Sequence, residues 1–161
     1  MNRSPKRRLA FLLLCVSMLA CKSDGHAAQD TTNAANKGNN DPVTMSNRLI
    51  IRVGSTTFTA TLPDNPTVMA FKQQLPLTIT LTELNGNEKY GQLPGVLPTS
   101  ATNPGTIQAG DLMLYGSNTL VLFYKSFRTS YAYTRLGRID NPSELAATLG
   151  KGDVAVTLEL E

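Results

Sequence analysis

Gly110 to Phe127 reads GDLMLYGSNTLVLFYKSF, the densest run of strand-forming residues in the 161-residue chain. Two apolar runs, Leu112 to Tyr115 and Leu120 to Tyr124, are separated by Gly116-Ser117-Asn118-Thr119. Gly, Ser and Asn accept the turn geometry that β-branched and aromatic residues resist, so the pattern predicts a β-hairpin. Neighbours that must point to opposite faces of a strand are both apolar here: Leu112 and Leu114 against Met113 and Tyr115, Leu120 and Leu122 against Val121 and Phe123. A sheet buried on one side would alternate, so this hairpin is expected to be covered on both faces. The rest of the chain must supply an inner core and an outer cover, or leave part of one face open as a binding surface.

Working outward, Arg48 to Val53 and Thr56 to Leu62 read as two strands joined by Gly54-Ser55, the second with a threonine face and an apolar face. Asp64-Asn65-Pro66 is a helix start with a capping side chain and a proline whose missing N–H costs nothing there, leading into Thr67 to Leu75 with Val68, Phe71, Gln74 and Leu75 as its buried stripe. Pro76 ends it. Leu77 to Leu84 alternates strictly as a half-buried strand and feeds the polar segment Asn85-Gly86-Asn87-Glu88-Lys89-Tyr90, read as one loop. Gly91 to Ala109, rich in Pro and Gly, is longer than a plain connection, and such segments are usually functional or held by their own packing. Tyr131 to Ile139 is a further strand, Asn141-Pro142-Ser143 is expected to cap a short helix through Leu149, and Val154 to Leu160 ends the chain as a strand. The expectation is a mainly β domain over 47–161, a small closed or nearly closed barrel with two short helices.

Residues 1–20 have the form of a secretory signal peptide: a basic start at Arg3, Lys6, Arg7 and Arg8, an apolar run from Leu9 to Leu19, and a small residue, Ala20, before Cys21. Met18-Leu19-Ala20-Cys21 resembles a bacterial lipobox, which implies cleavage before Cys21 and lipidation of its thiol. The expected product is an exported lipoprotein of the cell envelope, anchored to a membrane by its N-terminal lipid. Lys22 rather than Asp follows the cysteine, which directs it to the outer membrane if the host is Gram-negative. Residues 21–46 carry almost no large apolar side chain beyond the cysteine and read as a flexible tether, with His26 as a solvated residue within it.

Removing the leader takes away four of the fifteen Lys and Arg and none of the twelve Asp and Glu, so the formal charge changes from +3 to −1. Nucleic-acid binding through a basic patch loses its support. The domain has no His, Cys or Trp, which removes Ser-His and Cys-His nucleophilic sites and most transition-metal sites. No cofactor, metal or catalytic residue is expected. Glu83 and Glu88, the two carboxylates nearest one loop, are better read as capping or solvated groups than as an acid/base pair.

The domain resembles the bacterial cyclophilin-like fold family. The resemblance rests on Asp64-Asn65-Pro66-Thr67, on Leu84 to Tyr90 with Leu93-Pro94, on Gly105-Thr106-Ile107 followed by Gly110-Asp111-Leu112, and on FYKSF from Phe123 to Phe127, and it continues through Tyr131 to Asp140. It implies a small cyclophilin-like closed β-barrel, and it says little about function, since a barrel hosts unrelated activities. Cyclophilins isomerise prolyl bonds with an arginine in a Phe-His-Arg motif upstream of an Ile-Gln-Gly-Gly-Asp segment. Ile107-Gln108-Ala109-Gly110-Asp111 is similar to the second part, but the place of the arginine falls on Leu97-Pro98-Thr99-Ser100-Ala101, which holds neither Arg nor His.

The reading is therefore a lipid-anchored binding module for a small molecule, a peptide or a partner protein rather than an enzyme. A divergent prolyl isomerase and an accessory to a flavodoxin-like redox partner are the alternatives that the resemblance leaves open. The candidate groove consists of Asn85, Asn87, Glu88, Lys89 and Tyr90 on one loop with Tyr115, Phe127, Tyr131, Tyr133 and Arg135 from the central sheet, because the outer apolar face of the hairpin needs a cover. Alternation places Tyr131, Tyr133 and Arg135 on one face, with Glu88 and Asp140 as the internal partners Arg135 would have if it did not face a ligand.

Overall fold

The structure, a computed structural model, describes residues 46–161. The expected signal peptide, Cys21 and nearly all of the expected tether lie outside them. The central hairpin forms as expected from β6 (Asp111–Tyr115) and β7 (Thr119–Phe123), with Leu112 opposite Leu122 and Leu114 opposite Leu120. Around it stand β1 (Arg48–Val53), β2 (Thr56–Thr61), β3 (Leu77–Leu84), β4 (Glu88–Gln92), β9 (Thr134–Ile139) and β10 (Val154–Leu160). They close into an antiparallel barrel in the order β1-β10-β3-β4-β7-β6-β9-β2, with β2 pairing β1 to complete the ring. Closure gives every barrel strand a neighbour on both sides, the β2–β9 seam being the shortest with Ala60 opposite Ile139 and Thr61 opposite Arg138.

Both faces of the hairpin are covered. Leu112, Leu114, Leu120 and Leu122 point into the barrel and pack with Leu49, Ile51, Phe58, Leu81, Val156 and Leu158. Met113, Val121 and Phe123 point outward and form a second apolar cluster with Ile107 and Tyr133, against which Tyr90 and Phe127 pack. The outer cover is a ribbon of two strands of two residues each, β5 (Thr106–Ile107) and β8 (Phe127–Arg128), too short to announce itself by periodicity.

The long segment from Gly91 to Ala109 is held by its own packing. Leu93 and Leu97 are buried, their N–H groups donate to Asn118 O and Ser117 O at 2.7 Å each, and Ser100 N donates to Thr134 Oγ1 at 3.0 Å. Thr102 bridges Tyr133.

Helix α1 (Pro66–Lys72) starts as read: Asn65 Oδ1 accepts from Val68 N at 2.8 Å, and Val68 and Phe71 are buried in the barrel cluster. The helix is shorter than expected, giving way after Lys72 to a turn in which Gln74 is only half-buried. Helix α2 (Leu145–Leu149) is not capped by Asn141 or Ser143. Glu144 occupies the cap without a side-chain bond, while Asn141 Oδ1 accepts from Ser143 N at 3.2 Å in the preceding turn.

The larger departure is at Asn85 to Tyr90, which is a hairpin and not one loop. Asn85 (φ 56) and Gly86 (φ 68) are both left-handed, the pairing that a type I′ turn demands, and the chain is already strand at Glu88. Strand parity then separates neighbours. Glu88 pairs with Leu84 and Phe123 on the outer face, whereas Lys89 pairs with Glu83 and Leu122 on the inner one.

Candidate functional site

The outer cover stops short of the β3–β4 edge of the hairpin face, and a concavity of about 550 Å³ opens there. Its floor is the outward-facing set of the barrel strands: Leu84, Glu88, Tyr90, Gln92, Thr119, Val121 and Tyr115. Its wall is the chain that leaves β8, from Phe127 through Arg128, Thr129, Ser130 and Tyr131 to Tyr133. Asn85 and Asn87 line it from the β3–β4 turn.

Rings run through the site without a break. Tyr131 meets Tyr115 edge-on at 6.3 Å, Tyr115 meets Tyr133 at 5.7 Å, Tyr133 meets Phe123 edge-on at 5.5 Å, and Phe123 meets Phe127 at 5.7 Å. These are the tilted and T-shaped geometries that ring quadrupoles favour. Phe123 and Tyr133 are buried as anchors, while Tyr115 and Tyr131 are exposed at 48% and 61%. A large aromatic surface held rigid and left open to solvent is the usual anatomy of a recognition site.

Of the ten groove residues read from sequence, Asn85, Asn87, Glu88, Tyr90, Tyr115, Phe127, Tyr131 and Tyr133 line this one concavity. Lys89 and Arg135 do not, and each has a physical reason. Lys89 faces inward and is fully buried, its Nζ donating to Glu83 Oε2 at 2.9 Å and to Gly152 O at 2.6 Å. Arg135 stays half-exposed on the outer face but turns to the buried Asp111, Nη1 to Oδ1 at 3.3 Å, so its partner is neither Glu88 nor Asp140. A β-bulge at Leu112/Met113 sets Met113 opposite Arg135 and leaves Leu136 as the extra residue.

Sequence reasoning missed the strand residues Leu84, Gln92, Thr119 and Val121 and the wall residues Arg128, Thr129 and Ser130. Continuing the alternation of β3, with Leu77, Ile79 and Leu81 inward, would have put Leu84 on the outer face, whereas Gln92 follows only from the three-residue connection Asn85-Gly86-Asn87 that pairs Leu84 with Glu88. No local pattern marks Arg128.

Two carboxylates on opposite faces of the β3–β4 hairpin behave differently. Burial pushes Glu83 up, but hydrogen bonds from Lys89, from the Tyr124 hydroxyl (2.7 Å) and from Gly86 N (2.9 Å) outweigh it and hold the group below the usual carboxylate range. The Tyr124 phenol is pushed up to about 12 by burial, its bond to Glu83 and the charges of Glu83 and Glu88. Glu88 has no such support. It is 9% exposed, and burial, then the Glu83 charge, raises its carboxyl above the ordinary value. The Tyr133 phenol is raised by its own burial and then by the Glu88 charge, which ties Glu88 electrically to the ring wall.

A raised carboxyl in the folded state means that the native protein holds its proton more tightly than the unfolded chain. Glu88 therefore favours folding most below the unfolded carboxylate range, and that contribution is lost as pH rises through its folded value. Glu88→Gln is expected to stabilise the domain at pH 7 by on the order of 1 kcal/mol, because an ill-solvated charge is removed and its shape is kept. The gain should disappear near pH 4. Urea denaturation at the two pH values checks it, and a variant less stable than wild type at pH 7 would refute the unpartnered state of Glu88.

Among the described residues no group of three or more His, Cys, Asp or Glu is placed to hold a metal ion, and no helix is long and apolar enough to cross a membrane. Residues 97–101, where a cyclophilin arginine would fall by counting, do not line the concavity. Asp111, which closes the cyclophilin-like Ile107 to Asp111 segment, accepts from Gln108 N at 2.9 Å and so holds that turn.

A small closed antiparallel barrel with an aromatic groove on its outer face is thus the class of protein that fold and site define. The chain belongs to the Cyclophilin-like family, whose pattern it matches over residues 51–159. Among solved structures it is similar to the hypothetical protein AF2241 from Archaeoglobus fulgidus, with a TM-score of 0.57 and 21% identity over 73% of this chain and 96% of that one. That likeness shows the fold alone. No curated protein matches the chain significantly.

Proposed function

We propose that this cyclophilin-like domain is a ligand-binding module, held at a membrane surface by a lipid on Cys21, and that the aromatic groove is its binding site. The observation that carries the reading is the open part of the ring system. Tyr115 and Tyr131 remain exposed beside a concavity of about 550 Å³, a volume within the range that small-molecule and short-peptide sites occupy. Stability alone does not call for the Tyr115 and Tyr131 rings, which stay about half or more exposed while Met113, Val121 and Phe123 of the same face are already buried.

A thermal-shift screen of small molecules and short peptides against the full chain tests the reading. A binder present at a hundred times its Kd stabilises the native state by about 2.7 kcal/mol. Tyr131→Ala is expected to leave the melting temperature of the unliganded protein nearly unchanged, because the ring is mostly exposed, and to remove most of the ligand's stabilisation. Mass spectrometry of the N-terminus of the membrane fraction tests the anchor, with an acylated Cys21 as the expected first residue. A library without a single stabilising compound would end the binding reading, and a mature terminus elsewhere would end the anchor.

A further inference from the structure

The groove carries a largely buried carboxylate that no hydrogen bond or ion pair among the described residues satisfies. Glu88 lies on the floor between Leu84 and Phe123, its partners in the strand ladders, and burial and the Glu83 charge alone account for its shift, with no hydrogen bond or cation among the causes. Asn87, the preceding residue, lines the same concavity, and its side-chain oxygen is shut from solvent without a donor. That oxygen is out of a ligand's reach, but carboxylates as buried as Glu88 are nearly always paired, so an unpartnered one that lines a cavity specifies what should enter it.

The cations near at hand are committed or solvated. Lys89 is turned into the barrel and bound to Glu83 and Gly152. Arg128 lines the concavity from β8, is exposed, and makes no ion pair with Glu88, so its charge is largely screened by water. The other titratable groups electrically coupled to Glu88 are Glu83 and Tyr124 on the inner face and Tyr133 on the outer one, all neutral or negative, while Lys125, whose backbone N donates to Asn87 O, is exposed with its ammonium 5.9 Å from the centre of the Tyr124 ring. The rings of Tyr90, Phe127 and Tyr133 line the same concavity, and aromatic rings beside a carboxylate suit a cation that can approach their faces.

We propose that the ligand of this groove is an amine: a primary ammonium group bound by the Glu88 carboxylate, on an apolar or aromatic body that lies against the tyrosines. The proposal rests on the binding-module reading and names its ligand class. The ammonium can belong to a small free amine or to a lysine side chain of a peptide, which offer the same group to the same carboxylate. Raised by burial, the Glu88 carboxyl is pulled back toward ionisation when the cation arrives, so affinity falls as pH is lowered through its unliganded value.

Four probes titrated into the full chain at pH 7 decide the matter, read by NMR. They are 2-phenylethylammonium, an acetylated phenylalanyl-lysine amide, and the anionic and neutral analogues phenylacetate and 2-phenylethanol. The expected result is a Kd of roughly millimolar order for one or both ammonium probes. It should be at least tenfold tighter than for phenylacetate or phenylethanol, and the tighter of the two ammonium probes identifies the source. Glu88→Gln should weaken that binding at least tenfold while remaining folded by its melting curve. An anionic or neutral analogue that binds as tightly, or a Gln variant that binds the amine unchanged, overturns the amine and leaves the groove as a site for another ligand. If no probe binds while the screen returns other groove ligands, the amine is overturned alone; if nothing binds at all, both readings fall.

Discussion

Lys89→Ala is expected to cost the domain about 3 kcal/mol, the largest loss from any single charged side chain in the barrel. Three consequences add. Glu83 loses the strongest of the donors that keep it ionised, Gly152 O loses its donor at 2.6 Å, and the fully buried lysine stem leaves a void on the inner face, where Leu122 is its ladder partner. Water reaches Glu83, whose side chain is 24% exposed, which keeps the loss at the lower end of what breaking a buried pair costs. Lys89→Met keeps the stem and should cost about half as much. The sign with pH follows from Glu83. Its lowered carboxyl contributes stability above the unfolded carboxylate range, and the contribution is lost as pH falls through its folded value. The gap between wild type and Lys89→Ala should therefore narrow on acidification. Urea denaturation at pH 7 and pH 4 measures both, and a variant within 1 kcal/mol of wild type at pH 7 would contradict the buried pair.

Gly91→Val should be still more damaging, with a loss of about 4 kcal/mol or no cooperative unfolding transition at all. A Cβ at Gly91 would stand 2.7 Å from Thr80 O, 2.8 Å from Ile79 Cδ1 and 2.9 Å from Leu81 Cδ2. Two of those atoms end flexible side chains, but Thr80 O belongs to the backbone of β3 and cannot yield without disturbing the ladder to β10. Gly91→Ala meets the same oxygen and is expected to cost about 2 kcal/mol. Gly86→Ala is the control: its Cβ would meet nothing within 4 Å, and only the left-handed backbone opposes it, at about 1 kcal/mol. If Gly86→Ala proved worse than Gly91→Ala in the same denaturation series, close packing of β4 on β3 would not be what closes this side of the barrel.

These two residues also mark what could be read in advance. The hairpin at Leu112 to Phe123 was legible because burial on both faces leaves no polar position, and β2 and β3 were legible because burial on one face leaves every second residue polar. The rings of the groove followed from the same logic, since an outer apolar face must meet something. Lys89 was misread because its charge suggested solvent while its parity, set by the three-residue connection Asn85-Gly86-Asn87 that pairs Leu84 with Glu88, placed it inside. Arg135 was misread because its partner Asp111 lies on another strand, 24 residues earlier, and ladder pairing across a bulge is not written in either neighbourhood. Arg128 and the β5–β8 ribbon escaped because two-residue strands have no period to detect.

The groove as binding site is the claim on which the rest depends, and chemical-shift mapping of a stabilising ligand on the full chain tests it most directly. The account predicts that the perturbed signals gather on Asn87, Tyr90, Tyr115, Phe127 and Tyr131, and that Tyr131→Ala abolishes them. The rival location is the polar hollow of about 480 Å³ lined by Arg48, Thr57, Asp140 and Glu144. Shifts confined to that hollow, or a footprint on the rings that survives Tyr131→Ala, would contradict it.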